Sequence, residues 1–228
     1  MIKALIKKEW KKTKNITIFF VIILTISLIH FYFSLSNALE HNAPSDIFQD
    51  IVRKEGTIDI SFLLYIITFI GPLLAFFQFS SEVSKARLRI HLHLPLKQNF
   101  LIHFFSIYGV SVISFIFIIA NVIVFLSLNT FFPIEIFYAV ESKFLISYFI
   151  SLGLYLSLAI FLINPSKVIK IGITTLSILT SLLFLDHVGR FFVGQNLYFY
   201  FPFILLSYYL LLFHSFKLYT KGYVKWIH

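Results

Sequence analysis

Three short patterns in the chain hold residue types that could do chemistry. Asp186-His187 sets a carboxylate beside an imidazole, as in an acid–base pair, with Arg190 one turn further on. His91-x-His93 presents two imidazoles as a partial metal-ligand pattern. Gly189 and Gly194 have the glycine spacing of a phosphate-binding loop. None of the three is complete. A P-loop needs Lys and then Ser or Thr after its second glycine, to reach the β- and γ-phosphates and the magnesium ion; here Gln195 and Asn196 follow. Neither histidine pattern has a second cluster at ligand spacing. The absence of Cys removes thiolate metal sites, disulfides and Cys nucleophiles together. A polar helix end for Asp186, His187 and Arg190, and a wet interface for His91 and His93, account for these residues without catalysis. The reading is therefore of a non-enzyme, with no catalytic, cofactor-binding or metal-binding residue assigned and no cofactor expected.

The elements that would have to position such groups are themselves diagnostic. Of 228 residues, 59% are apolar, 19% aromatic and 13% charged. A soluble domain carries about a quarter charged residues, and disorder needs low hydrophobicity; both are excluded. A helix crossing hydrocarbon takes about 20 mostly apolar residues, and six runs approach that length: Ile16–Leu35, Ile60–Phe79, Phe100–Leu128, Phe144–Ile163, Val168–Leu185 and Tyr198–Phe216. They are apolar all round, which fits helices better than the alternating strands of a barrel. Gly71-Pro72 should bend the second, because Pro removes a backbone donor. The expected fold is an all-α integral membrane protein, a single transmembrane domain over residues 1–228. It has six transmembrane helices, an interfacial helix over 1–15, an external loop over 37–59 and a cytoplasmic loop over 81–99.

Charge sets the orientation. All but four of the 19 Lys and Arg fall in the segments before the first run, between the second and third, between the fourth and fifth, and after the sixth. The exceptions are Arg53, Lys54, Lys143 and Arg190. The positive-inside rule then places both termini in the cytoplasm of a multi-pass protein, expected in a cell membrane such as the bacterial inner membrane. Glu9 and Glu82 are the only acids on that side. The net charge of +9 is thus a topology signal. Nucleic-acid binding would need a basic face on a soluble domain, so no nucleic-acid partner is expected; membrane lipids are.

In the first 15 residues, Ile2, Leu5, Ile6, Trp10 and Thr13 share one helical face and six lysines cover the other. Glu9 interrupts the apolar face. Either it pairs locally with Lys12 at i+3, or this face docks on protein and Glu9 meets a cation such as Arg87 or Arg89. Ile47, Phe48, Ile51 and Val52 suggest a short helix in the external loop. In the cytoplasmic loop, Val83, Ala86, Ile90 and Leu94 share a helical face, while Leu88 to Leu96 also alternates with period two, so helix and strand both remain open there. A cytoplasmic loop with apolar stripes and four cations should bury its apolar side against a partner or against the N-terminal helix. Within the runs, His30, His214 and Asn121 are expected to hydrogen-bond to neighbouring helices. Tyr198 and Tyr200 are expected in an interfacial belt, and Tyr208 and Tyr209 could touch an amphiphilic substrate. The centres of the runs contain no Asp, Glu, Lys or Arg, which argues against a transporter carrying its own ion coupling.

The order of these elements resembles the permease subunits of ABC-2 type transporters. It comprises a basic N-terminal helix (LIKKEWKKTK), two spans, a cytoplasmic E-x-x-x-x-R-L-R-x-x-L-x-L-P-L-K segment opening the third span, and three more spans. The matching positions are Glu82, Leu88, Leu92, Leu94, Pro95 and Lys97; Lys85-Ala86-Arg87 stands where the family usually has Gly-Thr. The resemblance implies a subunit that pairs with a second permease copy or a paralogue and recruits a separate cytoplasmic ABC ATPase to export a substrate. It implies docking through Glu82, Lys85, Arg87, Leu88, Arg89, Leu92, Leu94, Pro95 and Lys97, with Glu9 and Trp10 on the interfacial helix. Two rivals stand beside it. One is a membrane anchor or maturation subunit, of the haem-export or copper-site type, tethering an ATPase or assembly factor. The other is a lipid-modifying membrane enzyme, for which only Asp186-His187 offers a start.

Overall fold

A computed structural model describes residues 2–41, 46, 60–84, 98–132, 134–188 and 197–224. These residues contain six helices: α1 Ile2–His41, α2 Ser61–Ser84, α3 Gln98–Asn129, α4 Ile134–Ile163, α5 Lys167–Val188 and α6 Leu197–Val224. Five of them, all but α5, are long and apolar enough to cross a membrane. Every element among the described residues is a helix, and the long apolar ones make this a multi-pass membrane protein.

The side chains confirm the apolar environment by their direction. Outward positions are large and apolar, such as Phe33, Phe69, Phe115 and Phe203, while hydroxyls turn inward: Thr68, Ser106, Ser147, Ser151 and Ser157 are buried. A soluble bundle has the opposite arrangement, and exposed apolar surface on this scale marks contact with lipid or protein. α5 follows the same rule although its average composition is more polar. It exposes Val168 (81%), Ile171, Leu176 and Leu182 and aims Ser177 at Ser157 on α4, Oγ to Oγ 2.9 Å.

α4 is the axis of the bundle, packing on α2, α3, α5 and α6, and α1 closes the far side against α2 and α3. The α2–α4 contact is the tightest. Gly71 lies so close to α4 that a Cβ there would sit 1.9 Å from the Ser151 carbonyl oxygen, and its N–H donates to Ser151 Oγ at 2.9 Å. α2 continues as helix through Pro72. The neighbouring interhelical hydrogen bond and the absence of a side chain at Gly71 are what a proline inside a buried helix needs.

Three expectations change. The N-terminal amphipathic segment and the first span are one unbroken 40-residue helix. It is about 60 Å long at 1.5 Å per residue, twice the hydrocarbon thickness, so its lysine-rich third extends the span rather than forming a separate element. α4 begins at Ile134, ten residues before the apolar run; Glu135 and Glu141 hid its first turns from a hydropathy reading but are good helix formers. His30 and His214 face outward and hydrogen-bond to nothing among the described residues. The short helix expected over Ile47–Val52 lies outside the described residues.

Candidate functional site

The lysine-rich end of the bundle is where the start of α1, the end of α2, the start of α3 and the ends of α4 and α6 meet. A buried polar network sits there. Gln78 on α2 and Tyr155 on α4 are both fully buried and converge on one backbone carbonyl of α3. Gln78 Nε2 donates to Phe105 O at 3.0 Å. Tyr155 Oη lies 2.8 Å from Gln78 Oε1 and 3.1 Å from Phe105 O, so its single proton serves two acceptors.

A helical carbonyl at i normally meets only the N–H at i+4. For Phe105 that residue is Gly109, where a Cβ would stand 2.0 Å from Tyr155 Oη. The missing side chain at Gly109 is what opens the Phe105 carbonyl to its two extra donors. Phe79 walls the cluster, with ring centroids 6.5 Å from Phe105 and 6.1 Å from Tyr155.

α1 joins through its buried stripe of Leu5, Glu9, Thr13 and Phe20. Thr13 Oγ1 donates to Glu9 O at 3.0 Å and so accepts from Tyr108 Oη of α3 at 2.8 Å. Glu9 is fully buried and pairs with Lys12 at 2.5 Å. The Lys12 ammonium also stands 5.8 Å from the centre of the Phe105 ring. The local pair with Lys12 forms, and Glu9 lies buried within the bundle. Arg87 and Arg89, the other cations expected for it from the sequence, lie outside the described residues.

On the other flank, His103 of α3 hydrogen-bonds to Tyr209 of α6 through Nδ1 and stacks on Phe213 at 5.2 Å. Lys217 covers the opposite part of that aromatic pile, 4.5 Å from the Phe213 ring centre. Asn164, in the turn after α4, donates to Ser215 Oγ at 2.8 Å and accepts from Ser166 N at 2.8 Å, tying α4, α5 and α6 together.

The network fastens helix ends to one another. Among the described residues no three His, Asp or Glu come together as a metal site would require. Replacing Tyr155 by Phe removes one hydroxyl and leaves Gln78 Oε1 buried with its partner gone. The expected loss is about 1–2 kcal/mol of unfolding free energy, measured by reversible unfolding in detergent micelles; Gln78→Leu combined with Tyr155→Phe should recover part of it.

Of the sequence-assigned docking residues, Glu82 falls in the last turn of α2. Lys85, Arg87, Leu88, Arg89, Leu92, Leu94, Pro95 and Lys97 lie outside the described residues, as do His91, His93 and Arg190. Asp186 and His187 occupy the last turn of α5. Trp10 is 43% exposed on the outward side of α1. Tyr200 is exposed and Tyr208 buried. The residues that sequence reasoning missed are Gln78, Tyr108 and Tyr155. Only Gln78 carried a signal, as an uncharged polar residue inside an apolar run. No protein-family model, curated protein or solved structure matches the chain.

Proposed function

We propose that the chain is a membrane-spanning permease subunit of the ABC-2 type. It crosses the membrane six times with both termini in the cytoplasm, pairs with a second copy or a paralogue, and couples to a separate cytoplasmic ATPase to export a substrate of amphipathic or lipid-like character. The observation that carries this reading is mechanical. Residues 85–97 hold four cations and an apolar stripe and connect α2 to α3. Gln78 stands about 9 Å along the helix from Ser84, and Phe105 about 10 Å from Gln98. The clamp between these residues and Tyr155 therefore lies at the root of that segment, and Glu9, Thr13 and Lys12 bind α1 to the same place.

A push delivered to residues 85–97 would enter four helices at once and move them as a body. Coupled transport needs that property, since rigid elements must carry two discrete arrangements between distant sites.

The test is association. The first observation is whether a neighbouring reading frame encodes a protein with a complete P-loop; the chain is co-expressed with that protein and purified in detergent. It should retain that ATPase, and Arg87→Glu with Leu92→Asp should cut retention at least about tenfold, a loss of about 1.4 kcal/mol, while the variant elutes as the wild type does. Retention unchanged by these substitutions contradicts the docking assignment. Retention without any substrate-stimulated hydrolysis in liposomes replaces export by tethering.

A further inference from the structure

α1 and α3 diverge on the outward side, leaving an open groove of about 490 Å³ walled by Trp10, Ile18 and Val21 on one helix and by Ser111, Val112 and Phe115 on the other. We propose that this groove holds one acyl chain of an anionic phospholipid whose phosphate rests on the lysines of α1.

Length and charge support this occupant. From Trp10 to Ile22 the α1 wall spans about 18 Å at 1.5 Å per residue, close to one leaflet of a hydrocarbon core about 30 Å thick. The groove therefore matches the depth of a single chain. At 100° per residue, Lys14 lies at the centre of the arc containing Trp10, Ile18 and Val21, with Lys7 about 20° and Lys11 about 60° to one side of it; all three are exposed. The cations thus stand at and just below the Trp10 end of the groove, with the apolar wall of Ile18, Val21 and Ile22 deeper. A headgroup phosphate and its own acyl tail have this layout, and an uncharged helix of a partner would leave the cations unanswered.

Thr17 stands between the two regions. It lines the groove, is 8% exposed, and its hydroxyl meets no hydrogen-bond partner among the described residues. That oxygen is closed off from the groove. Ser111, exposed on the facing wall, offers the hydroxyl that an ester carbonyl, lying between phosphate and tail, can accept from. Lipid in this position would brace α1 against α3 beside the Thr13–Tyr108 hydrogen bond. The site would make the basic end of the bundle sensitive to the charge of the surrounding leaflet, whatever the protein transports.

The protein carries its own reporter. It has two Trp residues, so Trp226→Phe leaves Trp10, in the groove wall, as the sole indole. The full-length variant is placed in phosphatidylcholine liposomes with increasing mole fractions of a brominated-chain lipid, which quenches indole on contact. Brominated phosphatidylglycerol should reach half-maximal quenching at a mole fraction about fivefold below that of brominated phosphatidylcholine for one engaged lysine, and lower still for two. Lys7→Gln with Lys11→Gln and Lys14→Gln should erase the difference, and Ser111→Phe should reduce quenching by both lipids. Equal quenching by the two lipids, or a preference that survives the loss of all three lysines, overturns the proposal. Absence of quenching by either lipid also overturns it and gives the groove to a protein neighbour.

Discussion

Replacing Gly71 by Val should destabilise the bundle by about 3 kcal/mol or more and push most of the protein into aggregates during extraction. The Cβ alone would meet the Ser151 carbonyl oxygen at 1.9 Å and its carbonyl carbon at 2.7 Å. These are backbone atoms of the central helix and cannot swing aside as a side-chain tip can. Relief needs α2 and α4 to separate, which breaks the Gly71 N–H to Ser151 Oγ bond and opens the most extensive helix interface in the structure. Overpacking in a close-packed interior costs about 1–3 kcal/mol even when side chains can adjust. Ala at the same site should already cost part of this. Gly172 has open space around its missing Cβ, so Gly172→Ala should leave stability unchanged or raise it slightly through helix propensity. Unfolding midpoints of the three variants in one detergent would show the order wild type and Gly172→Ala, then Gly71→Ala, then Gly71→Val. A Gly71→Val protein as stable as wild type would mean that α2 and α4 do not meet at this point.

Removing Glu9 should produce the second large effect. Its carboxylate is fully buried and pairs with Lys12, whose side chain is only 11% exposed. Glu9→Leu takes the paired carboxylate away from that ammonium beside the Phe105 ring, and removing one partner of a buried pair costs about 3–5 kcal/mol. The lysine stem is long enough to carry its head toward the interface, so the lower end of that range is expected. The diagnostic is the double variant. Glu9→Leu with Lys12→Leu removes both charges and should recover most of the loss, because apolar replacement of a whole buried pair is often nearly neutral. Additive losses in the two single variants, with no recovery in the double, would show that the two side chains do not interact.

The membrane-protein class was legible because it depends on composition and run length, which act residue by residue. Five of the six expected runs became long apolar helices. Val168–Leu185, the sixth, became helix α5 with an apolar outer face and a hydroxyl-lined inner one, and an average over its length cannot represent that asymmetry. The continuity of α1 was hidden by its abrupt change from six lysines to an apolar run, although Lys and Ile can share one helix and nothing between Lys14 and Ile18 breaks it. Glu9 was flagged because a carboxylate on an apolar stripe costs too much to leave unexplained.

The clamp of Gln78, Phe105 and Tyr155 was not legible. Its acceptor is a backbone carbonyl, and its opening depends on Gly109 facing Tyr155 from a helix 46 positions away in sequence, a tertiary coincidence with no local pattern. The loop resemblance rests on residues 82–97, of which 85–97 lie outside the described structure.

The chain has no Cys, so a single Arg87→Cys substitution creates a unique chemical handle without a background to remove. In intact cells co-expressing a candidate P-loop ATPase, a membrane-impermeant maleimide should leave this thiol unlabelled until the membrane is opened. A short bifunctional cross-linker added after opening should join it to the ATPase in a nucleotide-dependent way. Labelling from outside, or a cross-linked product that never contains a nucleotide-hydrolysing protein, would contradict the assignment of residues 85–97 as the grip through which the membrane helices are driven.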